Sequence, residues 1–218
     1  MGAAGRDRLA TGAAALEQGV TRIAAVILAG GRGERLGGIN KALIEIGGRR
    51  LVDRAMGAVQ GCDPLLLAVG GADFDLAGPI HVPDLASDYA GPLAGVAAAV
   101  ARLLADPPDL LLSLAVDTPF FPADFLERAL PRIAGHSVVL AAFAGQDYPT
   151  NALWRFDSIR LLPAGLADST APHSLKRLAA TIGATRLDYA DHTDFDPFLN
   201  ANTPEELENL RSRAARKA

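Results

Sequence analysis

The chain of 218 residues has a single cysteine, Cys62. One thiol excludes an internal disulfide and points to a reducing compartment. The four histidines, His81, His136, His173 and His192, are scattered. No group of Cys and His has the spacing of a metal site. No serine or cysteine has a partner base by sequence logic, so nothing suggests a covalent intermediate. No apolar run approaches the length that spans a membrane. The first residues lack the apolar centre of a secretory signal, and the expected location is cytoplasmic. A surplus of positive charge is also missing. The formal net charge of −4 gives no broad attraction to nucleic acid. Two common nucleotide signatures are absent as well. Gly37-Gly-Ile-Asn-Lys41-Ala42 lacks the adjacent Gly-Lys and the hydroxyl of a P-loop. Gly31, Gly33 and Gly37 are spaced one residue too wide for a dinucleotide fingerprint.

Hydrophobic residues make up 50% of the chain. That is enough for one sizeable core and too little for two ordinary domains. Residues 1–21 are expected to be a loosely ordered or short helical extension, and 22–218 a single domain. Strand-like runs are Ile23–Leu28, Ala42–Ile46, Leu65–Val69, Ile80–Val82, Leu110–Val116, Ser137–Phe143 and Thr150–Phe156. Leu110–Val116 is the most apolar of these and is expected at the centre. Helical runs are Leu51–Val59, Gly91–Leu104 and Pro122–Ile133, with a largely helical stretch on to Leu187. Thr203-Pro-Glu-Glu206 is a good helix start. The alternation predicts an α/β fold with a mostly parallel central sheet and helices on both faces. In such sheets ligands gather at the carboxyl ends of the strands.

The candidate residues fall at those ends. After Ile23–Leu28 comes Leu28-Ala-Gly-Gly-Arg-Gly-Glu-Arg-Leu-Gly-Gly-Ile-Asn-Lys41. Its glycines let backbone N–H groups approach an anion, and Arg32, Arg35 and Lys41 neutralise it. A strand opening into such a loop is what binding a nucleotide triphosphate requires. Asp117 ends the most apolar strand in Val116-Asp-Thr-Pro119. A carboxylate there suits Mg²⁺, which takes one or two carboxylates and completes its shell with phosphate and water; the alternative is a turn residue or helix cap. Asp124 could cap the following helix instead. Asp84, in Val82-Pro-Asp84, is alone an ordinary loop aspartate. Asn200 and Asn202, two apart on an extended segment, point the same way, and their amides offer donors and acceptors together. Either Asn202 or Thr203 could cap the last helix.

The glycine loop resembles the signature of the molybdenum cofactor guanylyltransferases, within a larger nucleotidyltransferase family. Further blocks are similar: Asp84-x-x-x-Asp88-Tyr-x-Gly-Pro-Leu-Ala-Gly95, Asp117-Thr-Pro119, Asn200-Ala-Asn-Thr-Pro204 and, more weakly, Asp147-Tyr-Pro-Thr150. The resemblance implies a Rossmann-like nucleotidyltransferase fold and transfer of GMP from GTP to the phosphate of molybdopterin cofactor. It implies that Leu28, Ala29, Gly30 and Gly31 hold base and ribose, that Asp84 contacts the nucleotide, and that Lys41 and Arg35 take up phosphate charge. Asp117 would hold Mg²⁺; Gly91, Gly95, Asn200 and Asn202 would face the pterin. The implied partners are GTP, the cofactor, and a molybdoenzyme or cofactor-insertion protein, with neither nucleic acid nor membrane. Three departures stand out. Asn40 replaces a usual Asp, Ala68 or Gly70 replaces a nucleotide-contacting Asn, and an arginine pair before Lys176 is missing, for which His173, Lys176 or Arg177 could substitute. The alternatives are a cytidylyltransferase on the same cofactor, disfavoured by Gly30-Gly31, a sugar-1-phosphate nucleotidyltransferase, and a non-catalytic nucleotide-binding or chaperone protein.

Overall fold

A computed structural model describes residues 21–30, 40–70, 76–83, 85 and 91–216. Strand β1, Ile23–Leu28, is apolar throughout because parallel neighbours flank it and helices cover it above and below. Its neighbours are β4, Leu65–Ala68, and β6, Leu110–Ala115. Outside β4 lies the short parallel strand β5, Ile80–Val82. On the other side, β8 (Gln146–Arg155) runs antiparallel to both β6 and β7 (Val138–Phe143). The edge strand β9, Ala184–Asp188, is parallel to β7. The sheet therefore has seven strands in the order β5-β4-β1-β6-β8-β7-β9, with β6 in the middle as its composition predicts. A separate two-stranded ribbon pairs β2 (Glu45–Ile46) with β3 (Arg49–Arg50). Gly47 and Gly48 turn it at φ +56° and +70°, which glycine adopts without strain.

Alternation along β1 builds two cores. Ala25, Ile27 and Ala29 join one, with α1 (Leu51–Ala58), α3 (Phe125–Ile133) and α7 (Pro204–Ala215). Ala24, Val26 and Leu28 join the other, with α2 (Pro92–Leu103), α4 (Phe156–Ile159), α5 (Leu162–Ala167) and α6 (Leu175–Ile182). The alanine-rich α2 sits close on the sheet. A Cβ on Gly95 would meet Leu28 Cδ2 at 2.9 Å and Ala68 Cβ at 3.2 Å.

Four local readings change. Lys41–Leu43 is a 3₁₀ turn, so the strand beyond it shrinks to Glu45–Ile46. Helix α3 begins at Phe125 rather than Pro122. Strand β8 starts at Gln146, earlier than expected. The stretch before Leu187 is three helices followed by β9, whose burial is mixed and which owes its shape to pairing with β7.

The chain leaves β1 for β4 and β5 on one side, then returns to place β6 on the other. The carboxyl ends of β1 and β6 flank the point where the strand order reverses.

Candidate functional site at the β1–β6 switch point

A cleft of about 450 Å³ opens there. Leu28, Ala29 and Gly30 form its β1 wall, and Ala115, Val116 and Asp117 its β6 wall. Val116 N donates to Leu28 O at 3.1 Å, so the two walls stay joined one residue past the strand. On the β4 side, Ala68 and Gly70 complete the wall. A Cβ on Gly30 would meet Gly70 Cα at 3.2 Å, so both strand ends depend on small residues. Gly91 and Pro92 bring the start of α2 to the cleft. Gly91 has φ +81° and ψ −156°, a conformation reserved for glycine. Pro92 occupies the first helical turn, where its missing N–H costs nothing.

Lys41 enters from the 3₁₀ turn. Asn40 caps that turn, its Oδ1 accepting from Ala42 N at 3.0 Å. Asparagine and aspartate cap about equally well, so Asn40 keeps the local structure that an aspartate would give. Lys41 Nζ donates to Asp117 Oδ2 at 2.9 Å and to Asn202 Oδ1 at 2.5 Å. The Lys41 and Asp117 side chains are only 18% and 14% exposed. In this partly desolvated setting the pair interacts more strongly than it would in water.

Asp117 is not a helix cap. Asp124 occupies the position before α3, but its side chain makes no capping bond. Burial of Asp124 raises its pKa, yet hydrogen bonds from Arg128 and Tyr189 outweigh that and hold it below the usual range. The Asp117 backbone carbonyl accepts from Ala201 N at 3.1 Å, which docks the segment before α7 onto the end of β6. Thr203 caps α7 with a reciprocal box to Glu206, and the Asn202 side chain turns to Lys41 instead. Phe198 anchors this segment: it is fully buried and packs against Phe121, Tyr148 and Tyr189. Tyr148 donates to Asp196, whose other oxygen accepts from Phe198 N at 2.9 Å.

A buried amide supports the same end of β6. Leu140 of β7 pairs with Ala152, and the next residue, Ala141, with Tyr148, so Pro149, Thr150 and Asn151 bulge from β8. Thr150 lines the cleft. Asn151, fully buried, accepts from Ala115 N at 2.9 Å and donates to Thr118 Oγ1 at 3.4 Å. Thr118 in turn donates to Asn200 Oδ1 at 3.4 Å.

Nine of the residues singled out by sequence therefore share one cleft: Leu28, Ala29, Gly30, Lys41, Gly91, Gly95, Asp117, Asn200 and Asn202. Gly31, Arg35 and Asp84 lie outside the described residues. His173, Lys176 and Arg177, at the start of α6, are not among the residues lining the cleft. Sequence reasoning assigned no role to Thr118 or Asn151. The available signals were the place of Thr118 within Asp117-Thr-Pro119 and, for Asn151, a polar residue beside the apolar run Ala152-Leu-Trp154. Among the described residues, no group of three or more His, Cys, Asp or Glu could hold a metal unaided, and no helix is long and apolar enough to cross a membrane.

Known proteins resemble this chain in sequence and in fold. A molybdenum cofactor guanylyltransferase of Acidiphilium cryptum is 37% identical over 86% of this chain and 93% of its own. One from Rhodopseudomonas palustris is 36% identical over 88% of this chain and 94% of its own. Two solved structures share the fold. Molybdopterin-guanine dinucleotide biosynthesis protein A from Archaeoglobus fulgidus superposes with a TM-score of 0.67 at 17% identity, covering 89% of this chain and 99% of that one. The 2-C-methyl-D-erythritol 4-phosphate cytidylyltransferase of Thermus thermophilus gives 0.66 at 16%, covering 89% and 100%. Residues 25–184, which run from β1 through the cleft to β9, match the MobA-like NTP transferase domain, and the chain belongs to that family.

Proposed function

We propose that this cleft transfers GMP from GTP to the phosphate of molybdopterin cofactor and releases pyrophosphate. The chain is a nucleotidyltransferase by family, and guanylyl transfer is the activity named for its relatives. The observation that carries the reading is Lys41 at 2.9 Å from Asp117, brought together from 76 residues apart at the switch point.

In the reaction, a phosphate oxygen of the cofactor attacks the α-phosphorus of GTP. A new P–O bond forms as the bond to the β-phosphate breaks, and pyrophosphate leaves. A terminal phosphate is already anionic at neutral pH, so no strong general base is needed. Catalysis is then positioning and charge neutralisation. The backbone of Leu28–Gly31 holds base and ribose, and Asp84 contacts the nucleotide. Lys41 and Arg35 take up charge on the pyrophosphate. The start of α2 at Gly91 offers N–H groups to an anion, and Gly91 and Asn200 face the pterin. Gly95 lines the cleft too, but its smallness serves mainly to seat α2 against Leu28 and Ala68.

A divalent metal belongs to this chemistry, and we take it to be Mg²⁺. The donor set fits: Asp117 is the one carboxylate among the described residues lining the cleft, and Mg²⁺ commonly binds through one or two carboxylates together with phosphate oxygens and water. Held on Asp117, the ion would neutralise charge on the nucleotide phosphates. The test is calorimetric titration with GTP, CTP and UTP, with and without Mg²⁺. GTP should bind best, and Lys41→Ala should weaken it at least tenfold, the order of one charge-assisted contact. A preference for CTP would instead support cytidylyl transfer, and unchanged GTP affinity in Lys41→Ala would remove the role given to the lysine.

A further inference from the structure

Asn202 stands just before the cap of α7, and its backbone is tied on two sides. Its own N–H donates to Glu206 Oε2 at 2.9 Å. Its neighbour Ala201 donates to the Asp117 carbonyl at 3.1 Å. From that fixed position its side-chain carbonyl accepts from Lys41 Nζ at 2.5 Å, across 161 residues of sequence. Asn200 also lines the cleft, but its side-chain oxygen takes a bond from Thr118. The two asparagines lie two residues apart in sequence and differ in partner.

We propose that Asn202 is a positioning residue for Lys41, holding its ammonium where it meets the nucleotide phosphates, and that it serves the nucleotide rather than the pterin. This rests on the guanylyltransferase reading above. Three features support it. An ammonium has three N–H donors; Asp117 and Asn202 take one each, which leaves one for a phosphate oxygen. The lysine stem is long and flexible, so two fixed acceptors reduce the freedom that phosphate binding would otherwise have to remove. The amide is neutral. It fixes the ammonium without cancelling its charge, and it remains as an anchor when the Asp117 carboxylate is shared with a metal ion. A carboxylate at position 202 would hold the lysine as well but would repel the phosphates.

The experiment uses the full chain with Mg²⁺. Calorimetry compares GTP with GMP, which lacks the phosphates that Lys41 is assigned to meet. It is run on the wild type, Asn202→Ala, Asn200→Ala, Lys41→Ala and the Lys41→Ala/Asn202→Ala double variant. Steady-state kinetics give KM for molybdopterin cofactor, and a thermal melt accompanies each variant. Asn202→Ala should weaken GTP roughly tenfold, leave GMP within about twofold and leave the cofactor KM unchanged. The double variant should bind GTP no more weakly than Lys41→Ala, because the asparagine acts through the lysine. Asn200→Ala should leave GTP affinity in place. A rise in cofactor KM with GTP affinity intact would overturn the proposal and make Asn202 a pterin ligand. Equal losses for GTP and GMP with a lowered melting temperature would overturn it in favour of a purely structural role. A wild type that prefers CTP would defeat only the guanine assignment, and CTP against CMP would then test Asn202 in the same way. A wild type that binds no nucleotide would overturn both readings.

Discussion

Lys41, Asp117 and Asn202 meet within hydrogen-bonding distance, and an aromatic layer behind them sets the position of the last of the three. Two tyrosines in that layer give it a pH signature. Burial, reinforced by the bond to Asp124, raises the Tyr189 pKa far above the ordinary tyrosine range. Burial and the bond to Asp196 do the same for Tyr148. Below about pH 10 both are protonated in the folded and the unfolded chain, and their contribution is complete. Above about pH 10 the unfolded chain releases protons that the folded chain retains, so stability falls as pH rises toward the folded values. Cys62, pushed up to about 11 by burial, acts in the same direction from lower pH, so the comparison belongs in a Cys62→Ala background. Urea midpoints there should decline from about pH 10 upward. Tyr189→Phe and Tyr148→Phe should each flatten the decline. An alkaline slope identical in all three proteins would contradict the hydrogen-bonded network. Little of this was legible in advance. Asp117 and Lys41 could be singled out because each ends a recognisable motif. The bonds from Asn151 to Ala115 and Thr118 depend on a bulge in β8, whose register only the folded sheet defines.

At the scale of elements, the first turn of α7 contributes to the cleft as well as to the helix. Glu206 Oε2 accepts from Asn202 N and Thr203 N, at 2.9 Å each, and its own N–H donates to Thr203 Oγ1 at 3.2 Å. Glu206→Ala should cost about 1 kcal/mol, the usual value of a cap. It should also weaken GTP binding, because the backbone of Asn202 loses its tether. Glu208→Ala, on the same helix but outside the box, should leave GTP affinity within about twofold, since surface ion pairs contribute little. Equal GTP affinity in both variants and the wild type would separate the helix cap from the cleft. This capping box was readable from Thr203-Pro-Glu-Glu206, because its chemistry is local. Strand β9 was not, because Leu187 is its only fully buried residue and pairing with β7 determines its shape. The 3₁₀ turn at Lys41 was missed for a similar reason. Its cap is a single asparagine at the end of a glycine-rich loop, and the apolar residues after it look like a strand.

At the scale of the molecule, the reversal of strand order between β1 and β6 creates the cleft. The switch follows from the strand–helix alternation, and both apolar strands that flank it could be picked out beforehand. The fold does not select the base. The Archaeoglobus fulgidus protein and the Thermus thermophilus cytidylyltransferase superpose on this chain almost equally well. Base choice on this account lies with Leu28–Gly31, and the acceptor with the α2 and Asn200 side of the cleft. The most direct test follows a labelled phosphate. The protein is incubated with Mg²⁺, molybdopterin cofactor and GTP carrying label at either the α- or the γ-phosphate, with α-labelled CTP alongside. The account predicts that α-label from GTP enters the cofactor product while γ-label leaves in pyrophosphate, and that both signals fall at least tenfold in Lys41→Ala. Transfer of α-label from CTP in preference to GTP, or no transfer from either nucleotide, would contradict it.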